Sequence, residues 1–302
     1  MRETPTLSHC ESPGAGGGVI VRRSLGFAAM LAVAMAMRTE YLTHWDALDY
    51  APQAIRRHSS DLFLGRWWFI AFMRAAYIIG RELFSLTILE GYRAMQLACA
   101  LFMAGAVVAG MAWTYRLTKS VIAEIGFAVL IVSSPMLGAI ASSVMTESAA
   151  LFMLSLSFLA WEHAIATRRK AMIWALVSGL AFGVMVSMRE PGIVLGFWPI
   201  ISCLTDKPKR RWALLSAGGL GTAVTLGIGI LMAARWYPWP DVSYWQNIGR
   251  WISSMQIERE QLSVSLSDQL ATLASYIYRA SPVVALLMIP SLLWSTAKRP
   301  RT

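Results

Sequence analysis

Carboxylates beside a long apolar segment are the first residues in this chain whose types and spacing could do chemistry. In His44-Trp45-Asp46-Ala47-Leu48-Asp49-Tyr50, Asp46 and Asp49 lie three residues apart, so on a helix they share one face. They are flanked by aromatic residues and follow an apolar run, where a membrane helix would emerge into water. Charge at that position is costly unless it is partnered or functional. Asp46 is therefore read as the chemical centre of a membrane-embedded site. Asp49 reads equally as a solvated loop carboxylate. His44, Asp46 and Asp49 together are compatible with a divalent metal, although nothing in their spacing demands one.

Three further groups could meet a charged substrate. Thr146-Glu147-Ser148 opens one apolar run, and Arg189-Glu190 closes another. Arg66 and Arg74 flank a short apolar piece, and the forked donors of a guanidinium match phosphate oxygens. Each group has a plainer reading. Glu147 suits a helix N-terminus, Arg189 and Glu190 could be a snorkelling pair, and Arg74 could be an interfacial anchor. Glu124 stands near the start of an apolar run without an evident partner, and Glu162-His163 reads as a solvated helix end.

The elements that would position these groups are membrane helices. The chain has 302 residues, 56% hydrophobic and 15% charged, where a soluble domain carries about a quarter charged residues. Thirteen Trp and seventeen Met fit a polytopic membrane protein. Residues 1–21 read as a flexible cytoplasmic tail without a convincing cleavage site. The expected fold is all-α and polytopic, with about eight spans: 24–37 (extended toward Tyr41), 92–115, 121–140, 148–165, 171–188, 192–204, 212–235 and 282–296. Residues 22–235 form the main transmembrane module, and 236–302 an outer loop plus the last span. The piece around Trp67–Ile79 is about 14 residues long and holds Arg74, too short and charged for a span. It reads as a juxtamembrane helix. Tyr244 to Met255 has the apolar stripe of an interfacial helix.

The net charge of +10 points to topology, not to nucleic acid. All five lysines, Lys119, Lys170, Lys207, Lys209 and Lys298, fall on the side that holds Arg22 and Arg23, whereas residues 38–91 balance six Arg against six acids. The positive-inside rule then puts both termini in the cytoplasm and the acidic motifs outside. Cys10, Cys99 and Cys203 have no ligand-like or disulfide-framework spacing.

With these motifs in this order, the chain resembles the GT-C superfamily of integral-membrane glycosyltransferases, especially the branch of protein O-mannosyltransferases and aminoarabinose transferases. Asp46-Ala47-Leu48-Asp49-Tyr50 is similar to the Asp-Glu-x-x-Tyr motif of the first outer loop, with Ala47 in place of Glu. Ala54 through Gly65-Arg66 is similar to the segment leading into the juxtamembrane helices. Thr146-Glu147-Ser148 resembles the second outer acidic site, and Arg189-Glu190-Pro191-Gly192 an Arg-x-x-Gly at the end of the fifth span. The resemblance implies a polyprenyl-phosphate sugar as donor, transferred at the outer face of a bacterial inner membrane to a glycan, lipid or protein acceptor. It implies catalytic roles for Asp46, Asp49 and Glu147, with Asp46 as general base. It implies substrate binding by Tyr50, Arg66, Arg189 and Glu190. The chain is shorter than such enzymes usually are, so a non-catalytic protein that binds or flips a lipid-linked sugar, or a secondary transporter, is the alternative.

The topology has a direct test. A cysteine introduced at Asp241 is expected to react with an impermeant thiol reagent from outside, and one at Lys209 is not. The opposite labelling pattern would discard the arrangement.

Overall fold

A computed structural model describes residues 15–38, 45–60, 63–84, 87–206, 210–239 and 242–261, with 267, 268, 271 and 275. Every regular element among them is helical. In chain order they are α1 (Ala15–Ala36), α2 (Trp45–Arg56), a 3-10 turn (Phe63–Arg66), α3 (Trp67–Phe84), α4 (Ile88–Thr118), α5 (Val121–Val132) and α6 (Pro135–Ala141). Then come α7 (Thr146–Ala166), α8 (Ala171–Met188), a second 3-10 stretch (Glu190–Gly196), α9 (Phe197–Asp206), α10 (Arg211–Arg235) and α11 (Tyr244–Gln261).

Five helices are long and apolar enough to cross a bilayer: Gly17–Ala36, Ile88–Thr118, Thr146–Ala166, Ala171–Met188 and Arg211–Arg235. A sixth crossing exists if α5 and α6 count as one, but the pair bends by 70°. The expected continuous span at 121–140 is thus broken. The cause is local: Ser134 accepts the amide of Leu137 as an N-cap, and Pro135 follows at the first helical position, where its missing N–H costs nothing. The expected span at 192–204 is found as a shorter apolar helix, Gly192–Leu204, below the length a crossing needs. The expected span at 282–296 lies outside the described residues. Helix α3 is 18 residues long, yet it is not among the helices that could cross. Arg74, Arg81 and Glu82 charge it, as a juxtamembrane role requires.

Helix α4 is the spine. Its 31 residues span about 46 Å at 1.5 Å each, more than the ~30 Å hydrocarbon layer, so it is longer than an upright crossing requires. It starts on a full capping box: Glu90 N–H donates to Thr87 Oγ1 and the Glu90 carboxylate accepts Thr87 N–H. Helix α1 packs along α4, α4 along α7, α7 along α8 and α8 along α10.

The α8–α10 contact is made backbone to backbone. A methyl at Gly179 would run into the carbonyl of Gly218, and one at Gly221 into the backbone of Leu176 and Leu180. Small residues permit this approach, and the closeness lets hydroxyls bond across. Thr222 Oγ1 donates to Gly179 O at 3.1 Å, and Thr225 Oγ1 lies 3.3 Å from Leu180 O.

At the basic end, Glu124 of α5 is fully buried and bonded by two arginines of α1. Arg22 Nη2 reaches Oε2 at 3.1 Å and Arg23 Nε reaches Oε1 at 2.7 Å. The carboxylate without an evident partner in the sequence therefore pins the first helix to the bundle.

Glycine substitutions separate contact from composition. Gly179→Ala is expected to lower stability by about 1–3 kcal/mol, read from thermal unfolding in detergent. Gly227→Ala, with nothing within 4 Å of its added methyl, is expected to be neutral or to gain up to about 1 kcal/mol of helix propensity. Equal effects would refute the backbone contact.

Candidate functional site

Helices α7 and α8 run antiparallel, since Glu147 at the start of one pairs with Arg189 at the end of the other, and α8 and α10 run parallel, with Gly179 against Gly218 and Ser187 near Gly229, so the start of α7 and the ends of α8 and α10 share one end of the bundle. It is the end opposite Lys119 and Lys170 and also the end that α2 and α3 reach from α1. Most of the residues singled out from sequence gather here around one apolar cluster. Tyr50 and Ala54 of α2, Phe69, Ile70 and Met73 of α3, Ala149 of α7, and Val184 and Met188 of α8 are all buried together in it.

Helix α2 carries the acidic motif. Its apolar face buries Tyr50 completely. The side chain of Asp46 is outside the described residues, and His44 is wholly outside them. Asp49 turns to the exposed face, where it accepts a 2.8 Å bond from Gln53, one turn along. The end of α2 is held by Arg74 of α3, which donates to the carbonyls of Ala54 (3.1 Å) and Ile55 (2.9 Å). Those are orphan acceptors of a helix C-terminus. Arg74 thus anchors α2 rather than standing ready for a phosphate. Burial, with Arg57 nearby, pushes its guanidinium below the ordinary arginine range.

The loop after α2 is tied to the end of α10. Ser59 N–H donates to Trp236 O at 2.9 Å and Ser59 Oγ to Ala233 O at 2.8 Å. Gly65, at φ 62°, passes so close that a methyl there would meet the Ala233 side chain. Only glycine combines that backbone conformation with that approach. Arg66 follows, also left-handed at φ 45°. It is about nine-tenths buried, and its guanidinium lies 5.4 Å from the centre of the Tyr50 ring, within cation–π range. Two of the residues expected to bind substrate, Tyr50 on α2 and Arg66 after it, therefore meet.

Across the same cluster, Glu147 and Arg189 form an ion pair through Oε1 and Nη2. Glu147 occupies the first turn of α7 and Arg189 is the C-cap of α8, so each charge suits its helix dipole. Both are partly exposed, at 23% and 34% of the side chain. Thr146 Oγ1 lies 3.3 Å from Glu147 Oε2. Arg189 thus pairs with Glu147 of another helix. Glu190 begins the 3-10 stretch after it, and its side chain is outside the described residues.

The site end also contains groups that sequence reasoning did not mark. Buried Gln96 of α4 donates to Ser142 O at 3.1 Å and so holds the turn between α6 and α7. The only signal available was an amide inside an apolar run. The Tyr50 hydroxyl has no hydrogen-bond partner among the described residues, although the ring is fully buried. Among the described residues, no three His, Cys, Asp or Glu side chains are grouped to hold a metal ion.

Fold and composition define an all-helical integral membrane protein, with five or six crossings among the described residues. No protein-family model matches the chain, and a comparison with curated proteins finds no match.

An unpartnered buried hydroxyl costs about 1–3 kcal/mol relative to a satisfied one. Tyr50→Phe is therefore expected to leave thermal stability unchanged or raise it by about 1 kcal/mol. A clear loss of stability would mean that the hydroxyl has a structural partner.

Proposed function

We propose that this protein is a membrane glycosyltransferase of GT-C type that transfers a sugar from a polyprenyl-phosphate donor to an acceptor hydroxyl at the outer face of the membrane. The observation that carries this reading is the pairing of Glu147 with Arg189 beside the same apolar cluster that holds Arg66 against Tyr50. Two guanidiniums and a carboxylate from three separate parts of the chain thereby border one end of the bundle, next to the helix that bears Asp46. The order of motifs in the sequence supports the same reading. So does the placement of two non-spanning helices, α2 and α3, between the first two crossings.

In this mechanism the lipid donor arrives laterally, with its phosphate at the membrane surface. Asp46 accepts the proton of the acceptor hydroxyl as the oxygen attacks the anomeric carbon. The bond from that carbon to the phosphate oxygen breaks, and the configuration inverts. The phosphate leaves as an anion, and Arg189, with Arg66, stabilises the charge that develops on it. Glu147 then has two tasks. Before the donor binds it neutralises Arg189; once the phosphate has taken its place it faces the sugar or the acceptor. Asp49 sits on the exposed side of α2, suited to the acceptor approach. Tyr50 shapes the wall on which Arg66 rests. A divalent cation held near Asp46 and His44 is compatible with this chemistry.

Reconstituted protein supplied with a labelled polyprenyl-phosphate sugar tests the reading. Asp46→Asn is expected to bind the donor as the wild type does and to lose turnover by about 100- to 10,000-fold, the usual worth of a general base. Equal turnover would remove Asp46 from its role. The break between α5 and α6 favours one other reading, because interrupted helices also occur in transporters. Gradient-dependent uptake of a sugar into proteoliposomes, without transfer, would establish that reading instead.

A further inference from the structure

We infer that the groove between the end of α1, α3 and the first half of α4 is a binding site for an anionic phospholipid, separate from the site that contains Glu147 and Arg189. The groove encloses about 570 Å³. Its floor is made of small side chains, Ala76 and Gly80 of α3 and Ala94 and Ala98 of α4. Its walls are large and apolar. Ile79, Phe84, Leu97 and Leu101 are each 41% to 68% exposed, so the channel between them is open along its side. From Arg93 to Leu101 it follows α4 for about 12 Å at 1.5 Å per residue. Such a channel has the width and the lining for a hydrocarbon chain.

The polar mouth decides which lipid. Arg38, just past α1, and Arg93, in the second turn of α4, both line it. The one acid among the described residues that line it, Glu90, accepts the Thr87 amide and hydroxyl at 2.7 Å and 2.9 Å and lies in the field of Arg93. Its described lining, two arginines and one carboxylate, therefore carries a surplus of one positive charge beside an apolar channel, complementary to a phosphate-bearing headgroup with acyl chains below it. The opposite face of α4 is the one that turns to the core, through Tyr92, Met95 and Cys99. A lipid in the groove would thus lie behind α4 and seal α3 against α1 without entering the site. This inference does not rest on the proposed function.

A photo-crosslinking amino acid placed at Leu97, with a second version at Leu220 of α10 as a reference for lipid-facing surface, tests it. The full chain is reconstituted in vesicles of phosphatidylcholine and phosphatidylglycerol at 3:1, and the crosslinked lipids are identified by mass. Phosphatidylglycerol is expected to be enriched at Leu97 over Leu220 by about fivefold for each arginine that contacts the headgroup, from about 1 kcal/mol per basic side chain. Arg38→Gln, at an exposed position, is expected to reduce the enrichment by about fivefold, and Arg38→Gln with Arg93→Gln to abolish it. Ala94→Leu, which fills the floor and keeps both arginines, is expected to reduce adducts of both lipids at Leu97. Equal lipid ratios at Leu97 and Leu220 would overturn the inference. So would enrichment that survives the double substitution, or adducts unaffected by Ala94→Leu.

Discussion

A helix that crosses a bilayer has no hydrophobic gain from touching another helix, because lipid tails are as apolar as its own side chains. Association must come from close packing and from polar bonds between helices, and in this protein the contact of α8 with α10 supplies both. Glycines 179, 218 and 221 bring the two backbones together, and the hydroxyls of Thr222 and Thr225 then reach carbonyls on α8. The end of α8 places Arg189, and the end of α10 receives the loop through Ser59 that delivers Arg66. A shift of α10 along α8 would therefore move the two guanidiniums relative to each other. The precision of the candidate site is set well below it, in the middle of the membrane.

The charged side chains fall into two kinds by what they neutralise. Arg74 is spent on backbone carbonyls and so fixes the angle at which α2 leaves its anchor. Arg22 and Arg23 are spent on a buried carboxylate and fix α1. Arg189 and Glu147 are different. They neutralise each other across two helices while remaining partly exposed, so an incoming anion can compete for the arginine. Arg66 rests on an aromatic ring, which holds the guanidinium in place. These last three are the groups on which the proposed site is built.

Much of this was legible from the sequence, and the parts that were not share a cause. Long apolar runs marked α4, α7, α8 and α10, because a window of hydropathy sums many residues and tolerates local error. Arg74 inside a short apolar piece kept α3 out of the count of crossings. The bend at Ser133-Ser134-Pro135 was harder, since the hydropathy is continuous through it and only the cap and the proline divide it. Glu124 was opaque for another reason: its partners lie about a hundred residues earlier, and nothing local announces them. Arg74 looked like a phosphate ligand because its true acceptors are carbonyls, which every residue possesses. Arg189 and Glu147 were each marked as useful, but their pairing depends on how two helix ends face one another, which periodicity does not specify.

The lock at Glu124 has a consequence for the order in which the protein is made. Arg22 and Arg23 leave the ribosome about a hundred residues before the carboxylate that will hold them. At 5–20 residues per second that is an interval of roughly 5–20 s. Throughout it the two arginines lack the carboxylate that binds them in the finished bundle. The final seat of α1 is available only when α5 enters, so a helix made well before α5 is fastened only after it.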